Sequence, residues 1–194
     1  LREVELNGVG KRLGSELVAM CGLNRDVGLV ALDLERLKTT MESHPWIRQV
    51  DLERRFPRTL IVNARVQEPA ALLLLDRLYY VNREGEVFKA VEAGEGVDFP
   101  VITGVSPKKE KEAQGIKRAL HVLDVLHHQK GGLWTERNIS EIHLTAGEGI
   151  SLYWNGLRAE VRFRCGELDK KLSGLKRVAR HLRNRNQMDR VQRI

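Results

Sequence analysis

The side chains of this 194-residue chain that invite chemistry are six histidines and two cysteines, together with two Gly-Glu-Gly turns. The histidines are His44, His121, His127, His128, His143 and His181. None belongs to an HExxH helix, and there is no CxxC pair, so the spacing of a zinc site is missing. His121 and His128 lie two helical turns apart and share a face, which is two ligands where zinc takes three or four. Ala93-Gly-Glu-Gly-Val97 and Ala146-Gly-Glu-Gly-Ile150 are not GxGxxG and do not open helices, so they read as turns ahead of strands rather than phosphate cradles. No GxSxG is present, and no two carboxylates stand out as an acid and a base. Cys21, in an apolar helix turn, and Cys165, at a strand end, read as unpaired, buried or half-buried thiols. A disulfide between them would need an oxidising compartment and Cα atoms within about 7 Å. The residues therefore predict no catalytic centre, no metal and no cofactor.

The elements that would position these groups follow from periodicity. Val4 and Leu6 alternate up to Asn7-Gly8. Ser15 reads as an N-cap for a helix carrying Leu17, Val18 and Cys21, ended by Gly22. Asp33 starts a second helix with Leu34, Leu37 and Met41 on one face, stopped at His44-Pro45. A strand with Trp46, Val50 and Leu52 on one face follows, then a turn, then Leu60, Val62, Ala64 and Val66 in strict alternation. The order is β-α-α-β-β, and Glu68-Pro69 reads as the boundary after it. Beyond it come short strands at 72–75, 78–81, 87–88 and 99–102. A helix carries Ile116, Ala119, Leu120, Leu123 and Leu126. Strands then follow on Ile142 and Leu144, on Ile150, Leu152 and Trp154, and on Leu157, Ala159, Val161 and Phe163. Asn155-Gly156 predicts a tight hairpin between the last two. A final helix carries Leu168, Leu172, Leu175, Val178 and Leu182. The fold class is α+β: residues 1–69, then a mainly antiparallel β domain with flanking helices over 70–194.

The net charge of +7 is local. Residues 170–194 hold nine Lys/Arg and one acid, while the remaining 169 residues hold 24 bases and 25 acids. No aromatic residue follows Phe163, so the basic helix lacks the stacking platforms that go with nucleic-acid binding. Its basic face is either solvated, with the apolar stripe on a sheet, or meets acidic chains or lipid headgroups. The longest apolar run is six residues, 70–75, far short of the roughly 20 that span a bilayer. The chain opens on strand-like sequence without an initiator Met, which predicts a segment of a longer protein.

The β-α-α-β-β order is that of a POTRA domain, and local motifs narrow the resemblance. Val4-Glu-Leu-Asn-Gly8, Leu32-Asp-Leu34, His44-Pro-Trp-Ile-Arg-Gln-Val50, Arg55-Phe-Pro-Arg-Thr-Leu60 and Val66-Gln-Glu-Pro-Ala70 together resemble the FtsQ/DivIB cell-division family. So do Val81-Asn-Arg-Glu-Gly-Glu-Val-Phe88, Phe99-Pro-Val-Ile-Thr-Gly104 and Trp154-Asn-Gly-Leu157 in the second half. The resemblance implies a non-enzymatic scaffold of the division septum, with this portion periplasmic and a single inner-membrane helix before Leu1. It implies that the POTRA part meets other divisome proteins and that the β domain binds FtsB/DivIC-type and FtsL-type coiled-coil partners, regulating septal peptidoglycan synthesis. It places the docking edge on a last strand beside the final helix. The sequence reaches Ile194 about where that strand begins, which predicts a β domain cut short before it. The expected partner-binding residues are Leu175, Val178 and Leu182 on the helix, with Val191 and Ile194 at the start of the edge. Relatives often carry an Arg before the strand that here starts near Ile150. This chain has Glu148-Gly149 there, so no such contact carries over. The competing reading, a POTRA-containing component of an outer-membrane translocation or assembly system, requires a following barrel or tandem repeats, and the sequence shows neither.

Overall fold

The computed structural model describes residues 3–24, 28–105, 109–128, 134–145, 149–163 and 168–184. The chain divides into two compact units, Leu1–Glu68 and Pro69–Ile194. Pro69 thus falls in the second unit, as the first residue of a strand, where its missing N–H costs least.

The first unit contains β1 (Glu3–Asn7), α1 (Lys11–Met20), α2 (Leu34–Glu42), β2 (Ile47–Arg55) and β3 (Thr59–Val66). β3 is central, pairing parallel with β1 and antiparallel with β2. Asp33 caps α2 as expected, its carboxylate accepting the Arg36 N–H at 3.1 Å. Ser15 is not a cap. α1 begins four residues earlier, and the Ser15 hydroxyl donates back to the Lys11 carbonyl. The helix ends in paired bonds from Gly22 N–H to Ala19 and from Leu23 N–H to Val18. β2 departs from simple alternation too. A register shift between Ile47 and Gln49 turns Ile47, not Trp46, inward beside Val50. Leu17, Met41, Val50, Leu60 and Val62 form the centre of the core. Each such side chain contributes about 1.5–3 kcal/mol when fully buried.

The second unit runs β4 (Pro69–Leu74), β5 (Leu78–Asn82), β6 (Val87–Ala90), β7 (Val101–Thr103), α3 (Lys109–His127), a 3-10 turn (Glu136–Asn138), β8 (Ile139–Leu144), β9 (Ile150–Trp154), β10 (Val161–Phe163) and α4 (Leu168–Asn184). Among the described residues its seven strands lie in the order β10-β9-β8-β7-β4-β5-β6. Four pairings are antiparallel. The two flanking β7 are parallel, and a parallel return requires a long crossover, which α3 supplies between β7 and β8. One face of the sheet buries Ala71, Leu73, Ile102, Ile142, Leu152 and Val161 together with Ile116 and Leu123 of α3. Asn82 is buried but satisfied. Its side chain accepts from the Glu84 and Glu86 N–H groups and donates to Glu86, holding the β5–β6 turn. Asn155-Gly156 does not make a two-residue hairpin. Leu157 N–H donates to the Trp154 carbonyl, and pairing resumes only where Val161 faces Leu152, which puts Leu157 in the loop.

Candidate partner-binding surface

The register of β7 on β8 assembles one constellation that resembles catalytic chemistry. Thr103 faces His143, and Val101 faces Glu141, on the sheet side opposite buried Ile102 and Ile142. The Thr103 hydroxyl donates to Glu141 Oε1 at 2.6 Å and meets His143 Nδ1 at 2.7 Å. A nucleophilic relay needs the histidine between hydroxyl and carboxylate. Here the hydroxyl lies between the other two, and the carboxylate stands 3.9 Å from the imidazole. The hydroxyl proton is committed to Glu141, so the arrangement ties two parallel strands together rather than activating Thr103. Sequence reading missed this group because its members are 38 and 40 residues apart.

His127 and His128 are also held in structural contacts. His128 Nδ1 bonds the Asp124 carbonyl of its own helix. His127 pairs with Glu136, which also holds Arg83 at 2.8 Å. Among the described residues no group of three His, Cys, Asp or Glu side chains could hold a metal. Cys21 packs on the first core, and burial raises its thiol pKa. Cys165 lies outside the described residues. Two clefts of about 240 and 200 Å³ share Arg83, each smaller than a typical small-molecule pocket.

What remains is edges and faces. At one end of the large sheet, the β6 edge carries Lys89, whose ammonium is held 3.0 Å from both Glu92 and Glu95. Tyr80 donates its hydroxyl to Glu95, and the Glu92 N–H does so too. These bonds, led by the Glu92 amide and then Lys89, hold the Glu95 carboxyl below its ordinary pKa. A lysine on an edge strand is a recurrent guard against strand addition. At the other end, β10 has β9 as its sole strand neighbour among the described residues. Its Val161 and Phe163 turn inward and Arg162 turns outward to Glu160. β10 carries no lysine.

α4 follows β10. Leu175 is 4% exposed and belongs to the core of the unit, so its side chain packs on the sheet instead of lining an open surface. The amphipathic stripe that marked it in the sequence is the stripe that buries it. Val178, one turn on, is 46% exposed, among exposed Arg177, Arg180 and His181. Leu182 lies on α4 with its side chain outside the described set, and Val191 and Ile194 lie outside the described residues altogether. No helix among the described residues is long and apolar enough to cross a membrane.

Comparison with known proteins agrees with this anatomy. Residues 1–68 match the family profile "POTRA domain, FtsQ-type", and residues 71–194 match "Cell division protein FtsQ/DivIB, C-terminal". The chain is 34% identical to the cell division protein FtsQ of Anaeromyxobacter sp. (strain K), over 92% of this chain and 61% of that protein. It is 29% identical to FtsQ of Geotalea daltonii, over 94% of the chain and 67% of the relative. It is 33% identical to FtsQ of Syntrophotalea carbinolica, over 90% and 64%. The chain thus spans about three fifths to two thirds of the length of these relatives. With a β-α-α-β-β unit ahead of a mainly β domain, and both halves matched in order, the chain belongs to the FtsQ/DivIB family of cell division proteins.

Proposed function

We propose that this chain is the periplasmic part of a single-pass inner-membrane scaffold at the division septum, without catalytic activity. Its second unit binds FtsB/DivIC-type and FtsL-type coiled-coil partners and so regulates septal peptidoglycan synthesis. The first unit meets other division proteins. The observation that supports partner docking at the β10 end is the contrast between the two edges of the large sheet. β6 carries Lys89, whereas β10 carries no lysine, its one outward charge, Arg162, being paired with Glu160. A strand added there acquires main-chain hydrogen bonds, with alternate side chains setting specificity. Val178 lies on the helix that follows β10, and Leu182, Val191 and Ile194 are the further partner-binding residues that the sequence reading nominates. Leu175 holds α4 in place.

The test is a titration of an FtsB/FtsL-type peptide against this chain and against a chain extended by about 20 residues, room for one or two further strands. The extended chain should bind much more tightly. Equal affinity would sink the edge-strand reading.

A further inference from the structure

The two long helices of the second unit differ in charge. α3 interleaves four Lys/Arg with three acids, whereas α4 holds six Lys/Arg and one acid, Asp169 near its start. Arg177, Arg180 and His181 stand at i, i+3 and i+4, so they share one exposed face of α4. Among the described residues no ion pair holds Arg177 or Arg180. Like charges at this spacing repel one another along a helix.

Beside these cations lies a glycine that the unit's own packing does not ask for. Gly174 sits inside α4, where glycine weakens a helix relative to alanine. A Cβ built there meets no described atom within 4 Å. Val178 follows one turn on, at i+4, and is 46% exposed. Small and apolar, Gly174 and Val178 form a shallow bed along the helix. Arg177 and His181 border it on one side, at i+3 and i+7 from Gly174, and the buried stripe of Leu175 borders it on the other.

Resting on the reading that a coiled-coil partner docks at the β10 end, we propose that this face of α4 seats an acidic helix of that partner. Its backbone comes close over Gly174 and Val178, and its carboxylates pair with Arg177 and Arg180. Charge complementarity selects an acidic occupant, and the missing side chain at 174 selects one that approaches closely, as a packed helix does. A lipid surface fits less well. A helix that lies on a bilayer presents large apolar or aromatic side chains to it. On α4 the described large apolar residues are Leu175, which lies in the core, and Val178 alone on the open face.

Two probes are titrated against the whole chain by NMR: an FtsB/FtsL-type coiled-coil peptide, and a designed helical peptide with glutamates at i, i+3, i+4 and i+7. Both should shift the amides of residues 174–181, and less so as salt rises. Arg177→Glu together with Arg180→Glu should lower both affinities by about tenfold or more, because it sets like charges face to face. A designed peptide with lysines in place of its glutamates should bind that double variant and not the native chain. Gly174→Gln separates docking from folding. It should raise the unfolding midpoint, since glutamine favours a helix over glycine, and yet weaken both peptides, since its side chain fills the bed. Weaker binding with a lowered midpoint would make Gly174 a folding residue and overturn the seat. Coiled-coil binding that neither change touches overturns the inference and leaves docking at the β10 end standing. A designed helix held at α4 while the coiled-coil peptide fails to bind leaves the seat standing and removes the β10 reading. No shift at α4 from either peptide, or capture of phosphatidylglycerol vesicles through the same arginines in place of the peptides, overturns the inference.

Discussion

Replacing Gly8 by alanine should open the first unit, and the structure allows the cost to be divided. Gly8 has φ +80°, which charges any L-residue about 1–2 kcal/mol. A Cβ there would also fall inside hard contact with the carbonyl oxygen of Ala64 on β3. Backbone cannot swing aside as a side-chain tip can. The end of β1 must retreat from β3, giving up the Asn7–Asn63 side-chain bond of 2.9 Å and the neighbouring pairing. Each hydrogen bond so lost costs about 1 kcal/mol, which brings the total to about 3 kcal/mol or more. Gly156 is the internal control: its φ is also +80°, but nothing lies within 4 Å of the added atom. Gly156→Ala should therefore cost only the conformational part, about 1 kcal/mol. Asparagine tolerates positive φ, so Gly156→Asn should be close to neutral while Gly8→Asn stays as damaging as Gly8→Ala. The assay is amide hydrogen exchange of peptides from β3 and from β9, which reads each unit separately. If Gly8→Asn restores more than half of the lost protection, or Gly8→Ala costs no more than Gly156→Ala, the steric argument is wrong.

Two further outcomes follow from side chains already described. Leu175→Ala should destabilise the second unit by about 2–4 kcal/mol, as a buried leucine deletion does, whereas Val178→Ser should leave unfolding within about 0.5 kcal/mol and weaken coiled-coil binding instead. Denaturant unfolding and peptide titration on the two variants separate core from partner surface, and matching losses of stability would refute the assignment. The Glu95 carboxyl is depressed, so the clasp it forms with Lys89, Tyr80 and the Glu92 amide is intact above the ordinary carboxylate range and is lost as pH falls through the lower folded value. An NMR titration of the Glu92 amide should therefore show a midpoint below 4.5, and a midpoint at or above that value would contradict the bonding.

Much of the first unit was legible because its signals are local. The Asp33 cap, the stop at His44-Pro45 and the alternation of Leu60 to Ala64 all act within a few residues. What escaped was one-residue irregularity and long-range pairing. The shift between Ile47 and Gln49 exchanged the faces of Trp46 and Ile47, and no periodicity announces a bulge in advance. Ser15 has the side chain of a cap, but a serine inside a helix finds the carbonyl four residues back just as easily. Asn155-Gly156 marked a turn correctly and its length wrongly, because pairing resumes where Val161, not Leu157, meets β9. The candidate surface was harder still. The stripe that made Leu175 conspicuous is equally the mark of a core helix, and only packing decides between the two. The Thr103–Glu141–His143 group exists solely through the parallel pairing of β7 and β8.

That short strand also governs how the second unit carries force. β7 touches β4 through two residue pairs and β8 through three, and it alone joins the β4–β6 meander to the β8–β10 meander within the sheet. Any tension applied between Pro69, where the unit begins, and a partner gripping β10 must cross this seam. Outside the sheet, α3 also bridges the halves, packed against Gly85 on one side and Leu144 on the other, and so does the exposed ion pair between Arg83 and Glu136. The sheet is therefore a mechanical series of two stiff halves and one narrow link, and a load strong enough to break it should part the halves at β7 before it unravels either one.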